Sequence, residues 1–158
     1  MIQTFINLYR LLIRLAGSLE SPFLLAVRLY WGWQFAQTGW GKLGDINRVI
    51  HFFTQLGIPA PAWNAWFIAL LEFVGGLLLI LGLGSRLIAL ALAVDMIVAY
   101  IAADREALSH IFSDPDKFYA AAPYTFLFAS VIILIFGPGK FSLDALLTRK
   151  VCATKPVE

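Results

Sequence analysis

Residues 62–83 read AWNAWFIALLEFVGGLLLILGL, and this stretch decides the fold. As a helix, the apolar run 63–83 is long enough to cross a bilayer, which takes about 20 residues. Glu72 stands at its centre. A carboxylate at that depth costs roughly 2.5–3.5 kcal/mol on insertion scales, so such residues face a bundle interior, find a partner and mark a site. The next apolar segment repeats the feature with Asp95, and the preceding one carries Arg28.

Composition agrees with a membrane chain. Of 158 residues, 60% are hydrophobic and 14% charged, against about 25% charged in a soluble domain. A net charge of +2 without a basic stripe excludes nucleic acid as a partner. Cys152 is the single cysteine, which excludes an intramolecular disulfide, a CxxC pair and a cysteine-built metal site. His51 and His110 fall outside the apolar segments, so no pair of histidines faces a transmembrane haem, and no metal is expected. Neither GxGxxG nor GxxxxGK[ST] occurs.

Four spans follow at about 22–40, 63–83, 86–103 and 121–136, giving an all-α integral membrane four-helix bundle. Pro22 fits the first turn of the first span, with Ser21 as its cap. Gly82, Gly84 and Ser85 form a short link, so spans two and three make an antiparallel hairpin. Ahead of the first span, Arg10 and Arg14 interrupt an apolar run one turn apart, which reads as an N-terminal interfacial helix. Asp45 is placed to cap a second surface helix whose Ile46, Val49, Ile50 and Phe53 recur at helical spacing. The chain thus divides into an interfacial segment (1–21), a membrane domain (22–137) and a tail (138–158). Arg10, Arg14, Arg86, Lys140, Arg149, Lys150 and Lys155 lie on the side of the termini, against Lys42, Arg48, Arg105 and Lys117 opposite. That bias places both termini in the cytoplasm.

Helical phase asks whether the intramembrane charges meet. Ala65, Ala69, Glu72, Gly75 and Gly76 share one face, as do Ala91, Asp95 and Ala99 on the next span; small residues beside an acid let a neighbouring backbone approach. Gly32 and Gly39 play the same packing role on the first span, on the face that carries Arg28, Phe35 and Lys42. Arg28 lies about 9 Å in from Pro22, and Glu72 and Asp95 lie about 16 Å and about 13 Å from the cytoplasmic ends of their own spans. An Arg28–Glu72–Asp95 cluster is therefore expected, with one acid protonated for charge balance. Its bland reading is architecture, a buried ion cluster fixing helix register. Its functional reading is ligand binding or proton handling. Trp31 and Trp33 are deep enough to line a ring-binding pocket, whereas Trp40, Trp63 and Trp66 suit an outer aromatic belt. Asp114-Pro115-Asp116 reads as a turn.

Several short motifs occur in a fixed order: Gly39-Trp40-Gly41-Lys42-Leu43, then Leu56-Gly57-Ile58-Pro59-Ala60-Pro61, then Leu71-Glu72 with Gly75-Gly76. Gly82 and Ser85-Arg86-Leu87 follow, and then Gly137-Pro138-Gly139-Lys140-Phe141-Ser142-Leu143-Asp144. In order and spacing, from about residue 22 to 147, the chain resembles the DoxX family of membrane proteins. The resemblance implies a four-helix bundle in the cytoplasmic (inner) membrane and a place in membrane redox or thiol-stress assemblies. The family takes its name from a thiosulfate:quinone oxidoreductase subunit. Where many relatives carry an acid before the last span, this chain reads Ala122-Pro123-Tyr124.

Two functions of different kinds are expected from these features. The first is a quinone-linked component of a membrane redox complex, working with a soluble redox subunit. Arg28 or Lys42 would donate to a quinone carbonyl, Gln34, Gln37 or Tyr124 would orient the ring, and Glu72 or Asp95 would carry protons. The second is a non-catalytic membrane anchor that recruits a soluble partner. Either fits a chain surrounded by membrane lipid, with a homo-oligomer as one further arrangement.

Overall fold

The computed structural model describes residues 2–153 and, among them, contains eight helices and no strand. The first, α1 (Ile2–Gly44), runs 43 residues without a break. The boundary expected at Pro22 is absent: Pro22 lies inside the helix, and Ser21 is not its cap. Proline is tolerated there because its lost N–H bond can be replaced by neighbouring groups. The Ser21 hydroxyl accepts a hydrogen bond from the Lys140 N–H at 3.4 Å. Residues 2–21 are helical as expected but continuous with the first span, and Phe5, Leu8, Leu12 and Leu19 on them are exposed.

Asp45 ends α1 and starts α2 (Ile46–Gln55), its carboxylate accepting from the Arg48 N–H at 3.2 Å. The apolar face of α2 is turned toward the bundle, with Phe53 buried and Val49 and Ile50 half-buried. Next come α3 (Pro61–Leu81) and α4 (Ser85–Ala102), both long and apolar enough to cross a membrane, with mean hydropathies of 2.0 and 1.9. Two short helices, α5 (Arg105–Ser109) and α6 (Pro115–Ala120), lead to the apolar α7 (Pro123–Phe136). The turn expected at residues 114–116 is the start of α6, with Pro115 in its first turn. After the 137–142 link, α8 (Leu143–Ala153) closes the described chain. Cys152 and Lys155 concern side chains outside the described residues.

The helices α1, α3, α4 and α7 pack in a ring, each on the next. Its centre holds Phe35, Leu79, Leu92, Met96 and Ile133. The closest approach is between α1 and α3. A Cβ on Gly32 would come within 2.9 Å of the Gly76 carbonyl oxygen, and one on Gly39 would overlap the backbone of Phe73. Lipid gives helices no hydrophobic reason to associate, so packing through small residues carries the contact. Gly75 is looser and faces α4, where a Cβ would meet Ile88 at 3.3 Å. The glycine contacts also fix the antiparallel register: Gly39 is level with Ala69 and Phe73, and Gly32 with Gly76 and Ile80. Lys42 is thereby brought near the middle of α3 and Arg28 near its end.

Candidate functional site

Two polar clusters result, and they are not the one cluster expected. Arg28 is 1% exposed and sits at the turn between α3 and α4. One of its terminal nitrogens donates to the Pro138 carbonyl, and the other donates to the carbonyls of Phe141 (2.9 Å) and Ile80 (3.4 Å). Gly82 makes room for it: this residue has φ +70°, and a Cβ there would lie 2.7 Å from a guanidinium nitrogen. Around the same turn, Asp144 accepts from the N–H groups of Gly84 (2.8 Å) and Ser85 (2.9 Å), while its own N–H donates to the Gly82 carbonyl at 2.9 Å. Gly84 precedes α4 and has no side chain with which to cap it. Asp144 therefore supplies both the missing acceptor and the negative charge that a helix N-terminus favours. Burial pushes the Asp144 carboxyl up, but hydrogen bonds from Ser85 and Gly84 and the field of Arg28 outweigh it. The net result holds it below the ordinary carboxylate value.

Arg28 thus does not join Glu72 and Asp95, contrary to the sequence expectation. The reason is depth. The helix does not begin at Pro22, and register sets Arg28 beside Gly82, ten positions or about 15 Å along α3 from Glu72. The cation that meets Glu72 is Lys42, whose Nζ lies 2.6 Å from Oε1. The Lys42 side chain is 32% exposed and that of Glu72 3%. From α4, Asp95 comes within hydrogen-bonding reach of Glu72. Glu72 Oε2 and Asp95 Oδ2 are both buried without a hydrogen-bond partner.

Lys42, Glu72 and Asp95 line a cavity of about 610 Å³. The rest of its wall is mainly apolar: Phe52 and Phe53 come from α2, Ile68 from α3, and Met96 and Val98 from α4. Ala99, one of the expected packing residues, also lines it, while Ala91 is half-buried. Asp45 and Arg48 contribute the other charges. A volume of this size falls in the usual range for small-molecule sites, about 300–1,000 Å³, and so does its make-up of apolar wall with a few convergent polar groups.

Other expected residues lie elsewhere. Gln34 is half-buried, Gln37 is exposed, and neither lines the cavity. Tyr124 belongs to an aromatic cluster, its ring 5.5 Å from Phe118 and 5.1 Å from Tyr119. Trp31 packs edge-on against Phe126, Trp33 is exposed, and neither reaches the cavity. Sequence reasoning does not single out three contributors: Asp45 reads as the cap of a surface helix, Arg48 as one of the charges opposite the termini, and Asp144 as part of a motif. For Lys42 a signal did exist: matching Gly32 and Gly39 on α1 to Gly76 and Ala69 on α3 gives the register that pairs it with Glu72.

The fold and this site define an all-α membrane protein in which two buried acids, Glu72 and Asp95, meet the half-buried Lys42 at the wall of an apolar cavity. The chain belongs to the DoxX family, whose model matches residues 23–105. It is 29% identical over 147 residues to the uncharacterized membrane protein Rv3486 of Mycobacterium tuberculosis, covering 89% of this chain and 90% of that one. It is 28% identical over 120 residues to the Bacillus subtilis protein named "Putative oxidoreductase CatD", covering 76% and 83%. The inner membrane protein YqjF of Escherichia coli is 26% identical over 134 residues, covering 84% and 98%. No solved structure matches.

Proposed function

We propose that this chain is a quinone-linked component of a redox complex in the cytoplasmic membrane, with both termini on the cytoplasmic side. The observation that carries the reading is the apolar cavity with Lys42, Glu72 and Asp95 in its wall. A quinone site needs a slot for a flat apolar ring, a hydrogen-bond donor, and a group that exchanges protons. Phe52, Phe53 and Met96 supply apolar wall, Lys42 supplies a donor, and the Glu72–Asp95 pair holds or releases a proton. With one ammonium against two carboxyls, the group is neutral when the pair shares one proton, the cheaper state in apolar surroundings. Electrons pass to or from a separate redox subunit. The name of the related CatD protein points the same way.

Purified protein in lipid nanodiscs tests this. Short-chain ubiquinone or menaquinone analogues should raise the melting temperature, with a gain of about 2.7 kcal/mol at about 100 times the dissociation constant. Ala99→Phe, which fills the cavity, should remove the gain. If no analogue stabilises the parent at any pH, the reading falls. Orientation is read in a Cys152→Ser background: Ser109→Cys should label from outside, and Thr148→Cys only after permeabilisation.

A second reading has its own support. The N-terminal half of α1 displays Phe5, Leu8, Leu12, Leu15 and Leu19, all more than half exposed, a surface suited to holding a partner subunit. As a non-catalytic anchor, the chain would co-purify with a soluble partner whether or not Glu72 is replaced, and no quinone analogue would stabilise it.

A further inference from the structure

Three apolar helices stop together at one end of the bundle. α3 ends at Leu81, α4 starts at Ser85 and α7 ends at Phe136, around the turn that Arg28 and Asp144 close. The ends of apolar helices mark the edge of the hydrocarbon, so this is the depth of lipid headgroups. A second cavity, of about 710 Å³, opens here between Gly17 and Ser21 of α1, the start of α4 and the link to α8. It shares no wall residue with the cavity of Lys42, Glu72 and Asp95.

Two cations stand in its wall, Arg86 and Lys140, and among the described residues neither forms an ion pair. The Lys140 backbone is tied down, its N–H donating to the Ser21 hydroxyl at 3.4 Å. The Arg86 guanidinium makes one long bond, to the Ile135 carbonyl at 3.4 Å. It lies against Gly137, where a Cβ would come within 3.2 Å of two of its nitrogens. These contacts position the guanidinium and leave most of its N–H groups free to donate. Of the two carboxylates in the wall, Asp144 already accepts from the Gly84 and Ser85 N–H groups, while Glu20 is exposed. Two cations against one uncommitted carboxylate leave one positive charge, the complement of one phosphodiester.

Just inside the same level the surface is apolar. Leu87 is 73% exposed on α4, and Ile135 and Phe136 are 62% and 59% exposed on α7. We infer that the second cavity holds the headgroup of an anionic phospholipid, its phosphate on Arg86 and Lys140 and an acyl chain along the exposed side chains of α4 and α7. Arginine binds phosphate oxygens in pairs. Basic pockets between membrane helices on the cytoplasmic side take such headgroups, and this is the cytoplasmic end in the topology proposed above. A soluble phosphate would meet the same cations but leave the apolar strip uncovered. On the α1 side, Gly17 keeps the cavity open, since a Cβ there would meet nothing within 4 Å.

Native mass spectrometry of the delipidated full-length protein tests this, with dioleoylphosphatidylglycerol and dioleoylphosphatidylcholine titrated separately. The anionic lipid should bind at least five-fold more tightly than its zwitterionic counterpart. Replacing both cations, Arg86→Gln with Lys140→Gln, should bring that ratio below two-fold. Lys140→Gln alone should at least halve it, which keeps the test decisive if the double variant fails to fold. Gly17→Trp, which fills the cavity without touching either cation, should weaken phosphatidylglycerol at least three-fold. Equal binding of the two lipids by the parent, or a ratio that survives the loss of both cations, would overturn the inference. So would unchanged binding in Gly17→Trp, which would put the lipid elsewhere on this end. Displacement of the lipid by an equal concentration of glycerol 3-phosphate would make the occupant a soluble phosphate ester and overturn it too. Binding in detergent reads neither quinone affinity nor orientation, so failure here and failure of the proposed function are distinguishable.

Discussion

The two ends of the α1–α3 helix pair each place a cation, Arg28 buried and Lys42 about one-third exposed, and they use it in opposite ways. At the α3–α4 turn, Arg28 directs both terminal nitrogens at three backbone carbonyls, from Ile80, Pro138 and Phe141, and only its Nε lacks a partner. Asp144 beside it accepts two backbone N–H groups and caps α4. Every one of those partners belongs to the chain's own backbone, so the cluster ties three segments together and is architectural. Some ten positions along α3, Lys42 meets one oxygen of a Glu–Asp pair in the wall of a cavity. A cation spent on backbone carbonyls holds a fold, whereas charges in a cavity wall stand where a small molecule can reach them.

The sharpest way to break this contrast is Arg28→Leu. It removes charged hydrogen bonds to buried carbonyls, each worth about 1.5–3 kcal/mol, so a loss of about 3–5 kcal/mol in detergent melting is expected. Adding Glu72→Leu and Asp95→Leu should not restore that stability. Recovery in the triple variant would mean that Arg28 compensates the acids after all. Next in size is Lys42→Met, which leaves Glu72 without its cation. Because Lys42 is about one-third exposed, the loss should be smaller, about 1–3 kcal/mol, and the double variant Lys42→Met, Glu72→Gln should recover most of it. A cycle of the two single and one double variants would show the coupling; an additive result would mean that the 2.6 Å pair contributes nothing.

Asp144→Asn has the smallest expected effect, about 1 kcal/mol for a lost helix cap, and it carries a pH signature. The folded state holds this carboxyl below its ordinary value, which is about 3.9 in an unfolded chain. Its contribution is therefore fully present above that ordinary value and fades as pH falls through the lower folded one. Parent and Asp144→Asn should differ in melting temperature at neutral pH and converge in strong acid. A difference that persists unchanged into acid would show that the charge on Asp144 is not what caps α4.

Much of the architecture could be read from local sequence. The α3–α4 hairpin follows from two apolar runs with a glycine link, α2 from its Asp45 cap and apolar spacing, and the inward faces of α3 and α4 from small residues at helical intervals beside Glu72 and Asp95. Those features depend on periodicity and local chemistry, which a single chain segment contains in full. The start of the first span did not yield to the same reasoning. Pro22 is as compatible with the interior of a membrane helix as with its first turn, and nothing local chooses between them.

The pairing of charges lay beyond local reading. Arg28 and Lys42 share a face of α1, so phase alone offers either as the partner of Glu72. Their difference in height along the helix, about 21 Å over fourteen positions, decides the matter, and height is set by how α1 slides against α3. The contacts of Gly32 and Gly39 with Gly76, Ala69 and Phe73 fix that slide. By itself, then, the sequence determined a membrane protein with one cation and two acids inside apolar segments. That Arg28 closes a turn while Lys42, Glu72 and Asp95 line a cavity came from helix packing, because register between packed helices is a property of the pair and not of either helix alone.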